Sequence, residues 1–60
     1  MRIIFYSLEE LQERCNKTYA NAETEKKVEE ALDKEIEVYY DEYDRVWTEG
    51  GVLLGEVEDY

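Results

Sequence analysis

Histidine and proline are absent from this 60-residue sequence, and cysteine occurs once. Each absence excludes something. Without histidine the usual base for a thiol nucleophile is missing, and so is the imidazole of common zinc sites. With one cysteine there is no intrachain disulfide to staple a chain that buries only about 60% of its unfolded surface. The same lone thiol, Cys15, fits a reducing compartment better than an exported one. The longest apolar run, within Arg2 to Tyr6, is too short for a signal-peptide core, and nothing approaches the roughly 18 residues of a membrane span. A single cytoplasmic domain over residues 1–60, without membrane contact, is the expectation. No cofactor and no metal are expected.

Positive charge is the other scarcity. Seven lysines and arginines face seventeen aspartates and glutamates, for a net charge of −10. The excess is one-sided. Residues 1–28 hold five acids and five bases, whereas residues 29–60 hold twelve acids against Lys34 and Arg45. Such a field repels nucleic acid and anionic membrane and attracts basic proteins. The apolar fraction is nevertheless 43%, with six tyrosines, one tryptophan and one phenylalanine. Disordered chains are poor in aromatics, so this chain is expected to fold.

Local patterns divide the chain into elements. Arg2–Tyr6 is β-branched and aromatic, a short buried strand. Ser7-Leu8-Glu9-Glu10 matches a capping box, with Ser7 accepting from the Glu10 N–H and Glu10 reaching back to the Ser7 N–H. A helix from Leu8 follows, with Leu8, Leu11 and Cys15 on its buried face. Glu23–Lys34 resumes helix, with Val28, Ala31 and Leu32 on one side. Asn16 and Asn21 are candidate stops. One kinked helix over 8–34 and two helices broken near Asn21 both fit, and two are favoured. From Glu35 the period becomes two: Ile36, Val38 and Tyr40 alternate with Glu35, Glu37 and Tyr39, giving a strand with an acidic outer face. Arg45–Thr48 is the next strand, Glu49-Gly50-Gly51 a tight turn, and Val52–Val57 the last strand, with Gly55 at a bulge and Glu58 to Tyr60 frayed. The result is an α+β domain in two layers, β-α(-α)-β-β-β. An antiparallel sheet packs on one or two helices, and the first strand joins at an edge or beside the last.

Catalysis finds little support in these residues. Cys15 lacks a base, and its spacing places it in the core. Carboxylate pairs occur at every spacing among seventeen acids, so they point to no acid–base chemistry, and 60 residues leave little room for both a core and a cleft. Asp41, Glu42, Asp44 and Glu49 miss the calcium-loop pattern, because Tyr43, Arg45 and Val46 occupy its ligand and glycine positions. Tyr40 and Trp47 are expected in the core. Tyr39 shares the outward face with Glu35 and Glu37, where tyrosine makes good interface material. In the last strand Val52 and Leu54 are expected to point one way, Leu53 and Val57 the other. One helical layer covers one sheet face, so some of these side chains are left as a sticky patch or a weak dimer contact.

Side chains two apart on a strand lie about 6.7 Å apart on one face, close to the spacing of phosphates along a nucleic-acid strand. Glu35 with Glu37, and Glu56 with Glu58, have this separation, and Asp41, Glu42 and Asp44 continue the acidic rail. Together with Glu49 and Asp59 they form an acidic surface. In size, acidity and element order the chain resembles the small phage-encoded DNA-mimic inhibitors, above all the anti-CRISPR proteins. The resemblance implies a non-enzymatic inhibitor in the host cytoplasm that occupies the basic groove of a nucleic-acid-binding protein, such as a CRISPR effector, without itself binding nucleic acid. The alternative is a regulatory interaction module (an antitoxin, an anti-repressor or a complex subunit) that binds through an aromatic patch around Trp47.

Overall fold

In the computed structural model, which describes residues 2–60, the strand Arg2–Phe5 (β1) leads into the capping sequence at once. Ser7 is extended, and its hydroxyl accepts from the Glu10 N–H at 3.2 Å. The return bond closes one residue further out than expected: Glu10 accepts from the Tyr6 N–H, at 3.1 Å, rather than from Ser7. Helix α1, Leu8–Cys15, stops at Asn16, which takes the left-handed conformation (φ 56°) and bonds back to Gln12. Asparagine tolerates that conformation better than most residues.

The break between the helices contains a strand, Lys17–Tyr19 (β2), that the sequence pattern does not reveal. Asn21 is a start and not a stop. Its side chain caps α2, Ala22–Asp33, by accepting from the Thr24 N–H at 2.8 Å. Two helices therefore replace the single kinked alternative. The far end of α2 corrects another expectation. Glu35 N–H bonds to Leu32 O and Ile36 N–H to Ala31 O, both at 3.0 Å, with Glu35 at φ 60°. This is a Schellman stop with glutamate where glycine is usual. It uses up residues 34–36, so strand β3 covers only Val38–Asp41, and Glu35 and Glu37 lie outside it.

Strands β4 (Arg45–Thr48) and β5 (Leu53–Asp59) complete an antiparallel, five-stranded sheet in the order β1-β3-β4-β5-β2. β1 takes an edge, next to β3. The C-terminal segment is not frayed. Glu58 pairs with Thr18 and Asp59 with Lys17, and the Tyr60 N–H reaches Asn16 O at 2.9 Å. Lys17 Nζ reinforces this closure, 2.6 Å from Asp59 and 3.1 Å from Asp44. Its hydrogen bonds to Asp59, then to Asp44, raise its pKa, and the Asp59 carboxyl is lowered in turn by the lysine.

Both helices lie on one face of the sheet, giving the expected two-layer α+β domain. Between the layers sit Phe5, Leu11, Tyr19, Val28, Ala31, Val38, Val46 and Val57, with Leu8, Leu32, Tyr40 and Leu54 packed around them. Cys15 packs against this core but is half-buried rather than buried. The Tyr19 hydroxyl is buried without a hydrogen-bond partner among the described residues. Burial, aided by the charges of Glu29 and Glu25, pushes its pKa up to about 12.

The tightest contact between the layers is at Gly55. Val46 pairs with Gly55 and Trp47 with Leu53, so Leu54 is the extra residue of a bulge. The bulge lets both Leu54 and Gly55 face the helices, against the expected alternation of Leu54 with Val57. Thr24 on α2 fills the space above Gly55, 98% buried, with its hydroxyl donating to Asn21 Oδ1 at 3.0 Å and accepting from the Glu56 N–H at 3.3 Å. A Cβ on Gly55 would lie 2.7 Å from the Thr24 Cβ. Gly55→Ala is therefore expected to destabilise the fold by roughly 1–3 kcal/mol, the usual range for overpacking. Thr24→Ala should lose its own hydrogen bonds, yet relieve part of that clash. Denaturant midpoints of the two single variants and the double variant check this: the double should fall short of the sum.

Candidate binding face of the sheet

Strand alternation sends every second side chain to the sheet face that no helix covers. Cross-strand register aligns four of them. Ile4 lies opposite Tyr39, Tyr39 opposite Trp47, and Trp47 opposite Leu53. A row of large apolar and aromatic side chains thus crosses four strands from β1 to β5. Leu53 is 48% exposed, and Ile4, Tyr39 and Trp47 are half-buried. The expectation that Trp47 belongs to the core is corrected: Val46 occupies the inner position, and Trp47 faces outward.

Asp41 fixes this arrangement. One carboxylate oxygen accepts from the backbone N–H groups of Tyr43 (2.9 Å) and Arg45 (3.0 Å), shaping the β3–β4 turn. The other accepts from Trp47 Nε1 at 2.7 Å, which orients the indole. Partial burial works to raise the Asp41 pKa, but the bonds from Trp47, Arg45 and Tyr43 outweigh it, and the pKa is lowered. At the other end of the aromatic pair, Tyr39 donates to Glu37 Oε1 at 3.2 Å, and the Arg2 guanidinium lies 5.6 Å from the Tyr39 ring centroid. Burial first, then Glu37 and the charge of Glu49, raise the Tyr39 pKa, with Arg2 partly offsetting them.

The acidic residues expected at the binding surface, apart from Asp59, which is held by Lys17, divide into three sets. Glu37 and Glu49 gather at Tyr39, joined by a 3.0 Å backbone bond. Glu56 and Glu58 lie on β5, facing the same way as the row and keeping the two-residue strand spacing, since Val57 between them is buried. The remaining acids do not continue a rail. Asp41 is committed to its turn. Asp44 (φ 61°) bonds on the helix side, to Lys17 at 3.1 Å and to the Tyr40 hydroxyl at 3.4 Å. Glu42 is exposed in the turn, and Glu35 belongs to the cap of α2.

Ile4 and Arg2 are members of this face that the sequence pattern does not mark, and Leu53, one of the side chains expected as a sticky patch, joins them without Val57, which is buried. Their placement depends on β1 pairing with β3 and on the bulge at Leu54, and neither leaves a local signal. Among the described residues, no three or more histidine, cysteine, aspartate or glutamate side chains converge as a metal site. Nor does any described helix have the length and apolarity to cross a membrane.

Asp41→Asn is expected to set an amide N–H against the Trp47 indole N–H or against the turn N–H groups. A cost of about 1–2 kcal/mol is expected, in the lower part of the range for charge-assisted hydrogen bonds because the turn is partly exposed. The pH dependence has a definite sign. A carboxyl whose pKa is lower in the folded state stabilises above its unfolded value and loses that contribution on protonation. The stability gap between native protein and Asp41→Asn should therefore be full at neutral pH and narrow as pH falls below 3.8, the ordinary value for aspartate. Urea unfolding at a series of pH values measures the gap.

Comparison of the chain with family models, with curated proteins and with solved structures finds no match.

Proposed function

We propose that the chain is a non-enzymatic inhibitor that seats the open face of its sheet on the basic nucleic-acid-binding surface of another protein, such as a CRISPR effector, in the host cytoplasm. The observation that carries this reading is the row Ile4–Tyr39–Trp47–Leu53, lying on an uncovered sheet face with Glu37 and Glu49 beside Tyr39 and with Glu56, opposite Arg45, and Glu58 further along β5. Among the described residues, none of these four glutamates has an ion-pair partner. Desolvated aromatic side chains supply most of the affinity of protein interfaces. Rim charges supply rate and orientation, and exposed pairs contribute only about 0–1 kcal/mol each. The row would hold the partner, and the acids would steer it and repel competing nucleic acid. Phosphate imitation by regular carboxylate spacing is reduced to Glu56 with Glu58.

A second reading is favoured by the withdrawal of Asp41 and Asp44 into internal bonds. In it the chain is a regulatory module bound through the aromatic row alone, and nucleic acid is irrelevant. Capture of the partner from host lysate, comparing native protein, Trp47→Ala, and a Glu56→Lys/Glu58→Lys variant, tests the shared claim. Trp47→Ala should weaken the captured complex by about 2 kcal/mol or more, as truncation of a central aromatic does. Unchanged binding by folded Trp47→Ala would overturn both readings. Competition then separates them. Inhibition requires that the partner's DNA or RNA and this protein exclude each other. Simultaneous binding would leave only the second reading.

A further inference from the structure

The inhibitor reading leaves open which chemical group of the partner the row receives. We infer that the occupant of the open face is an arginine-bearing segment of the partner protein, with arginine rather than lysine stacked on the Tyr39–Trp47 pair. This inference rests on the docking reading above and narrows it.

Three observations converge. First, the geometry of the face admits a guanidinium: the chain's own Arg2 lies 5.6 Å from the Tyr39 centroid, within cation–π range, and leaves the Trp47 ring to another. Second, the next ring in register is Trp47, the strongest cation–π partner among the side chains. Its Nε1 edge is tied to Asp41, so the indole is held in place before any ligand arrives. Third, two carboxylates, Glu37 and Glu49, stand at the Tyr39 ring against the single cation Arg2, so the charge there is net negative. Glu37 bonds the Tyr39 hydroxyl, and Glu49 is near enough to raise the Tyr39 pKa. Neither has an ion-pair partner among the described residues.

An ammonium group would be drawn by the charge alone. A guanidinium gains more here, because it is planar, more weakly hydrated, stacks on rings and can fork two hydrogen bonds to one carboxylate. The same electrostatics disfavour other occupants. A second copy would bring its own net charge of −10 to the interface, and nucleic acid or an anionic membrane would be repelled.

Trp47 is the sole tryptophan, so its emission reports on the face directly. The probes are two peptides of equal length and charge, one alternating arginine with glycine and one alternating lysine with glycine, titrated at about 0.15 M salt, where the Debye length is about 8 Å. The arginine peptide should change Trp47 emission and bind at least tenfold more tightly than the lysine peptide. With fluorescein-labelled peptides read by anisotropy, Trp47→Leu should remove most of that preference and leave the lysine peptide within about twofold. Glu37→Gln/Glu49→Gln should weaken both. Equal affinity of the two peptides would overturn the arginine assignment while docking at this face stood. Absence of any peptide effect on Trp47 emission would overturn it too, as would self-association that buries Trp47. Retention of the arginine preference in Trp47→Leu would place the contact elsewhere. Loss of partner capture on Trp47→Ala, combined with equal peptide affinities, would separate failure of this inference from failure of the inhibitor reading.

Discussion

A single layer of two short helices can cover only one face of a sheet, and this sheet has five strands. The helices are 8 and 12 residues long, about 12 and 18 Å at the α-helical rise. They bury Phe5, Val38, Val46 and Val57 from one side. Alternation then requires the neighbouring side chains to lie on the other side, whatever their chemistry. In many antiparallel sheets those positions are polar. Here they include Ile4, Tyr39, Trp47 and Leu53, and cross-strand register brings them into one line. The aromatic face follows from the same geometry that makes the core.

The acidic excess is divided between structure and surface. Asp41 holds a turn and an indole, and Asp44 and Asp59 hold Lys17, which ties the β3–β4 turn to the end of the chain. These carboxylates act within the fold and are poor candidates for imitating phosphate. Among the described residues, Glu37, Glu49, Glu56 and Glu58 form no ion pair, and the Glu37 side chain is held only by the Tyr39 hydroxyl. The charge left unpaired on the open face is therefore smaller than the composition suggests, and it does not form a continuous rail. Affinity centred on aromatics with acids at the rim is the arrangement such a surface supports best.

The sequence shows much of this fold and little of its open face. The Ser7 cap, the apolar stripe of Val28, Ala31 and Leu32, and the outward position of Tyr39 are local signals, and the structure agrees with each. Strand β2 is three residues long, too short to show a period, and its partner lies some forty residues further along the chain. The same pairing pins Asp59, which in isolation looks like a loose end. Glu35 alternates correctly for a strand, but the Schellman stop of α2 takes the residue first, and glutamate at a left-handed position gives no warning. Val46 and Trp47 are adjacent, so alternation alone puts one inside without saying which. The Asp41 acceptor favours the outward indole. These outcomes depend on long-range pairing, which a local pattern does not encode.

The open face exists only if Trp47 lies on the side of the sheet away from the helices. A proton NOESY spectrum of the free protein measures this placement directly. The structure predicts cross-peaks from the Trp47 indole to the Tyr39 ring and to the Leu53 methyl groups, with none to Val28, Ala31 or Leu32 of α2. Cross-peaks from the indole to those helix side chains, without contacts to Tyr39 and Leu53, would put Trp47 in the core and contradict the binding face proposed for this protein.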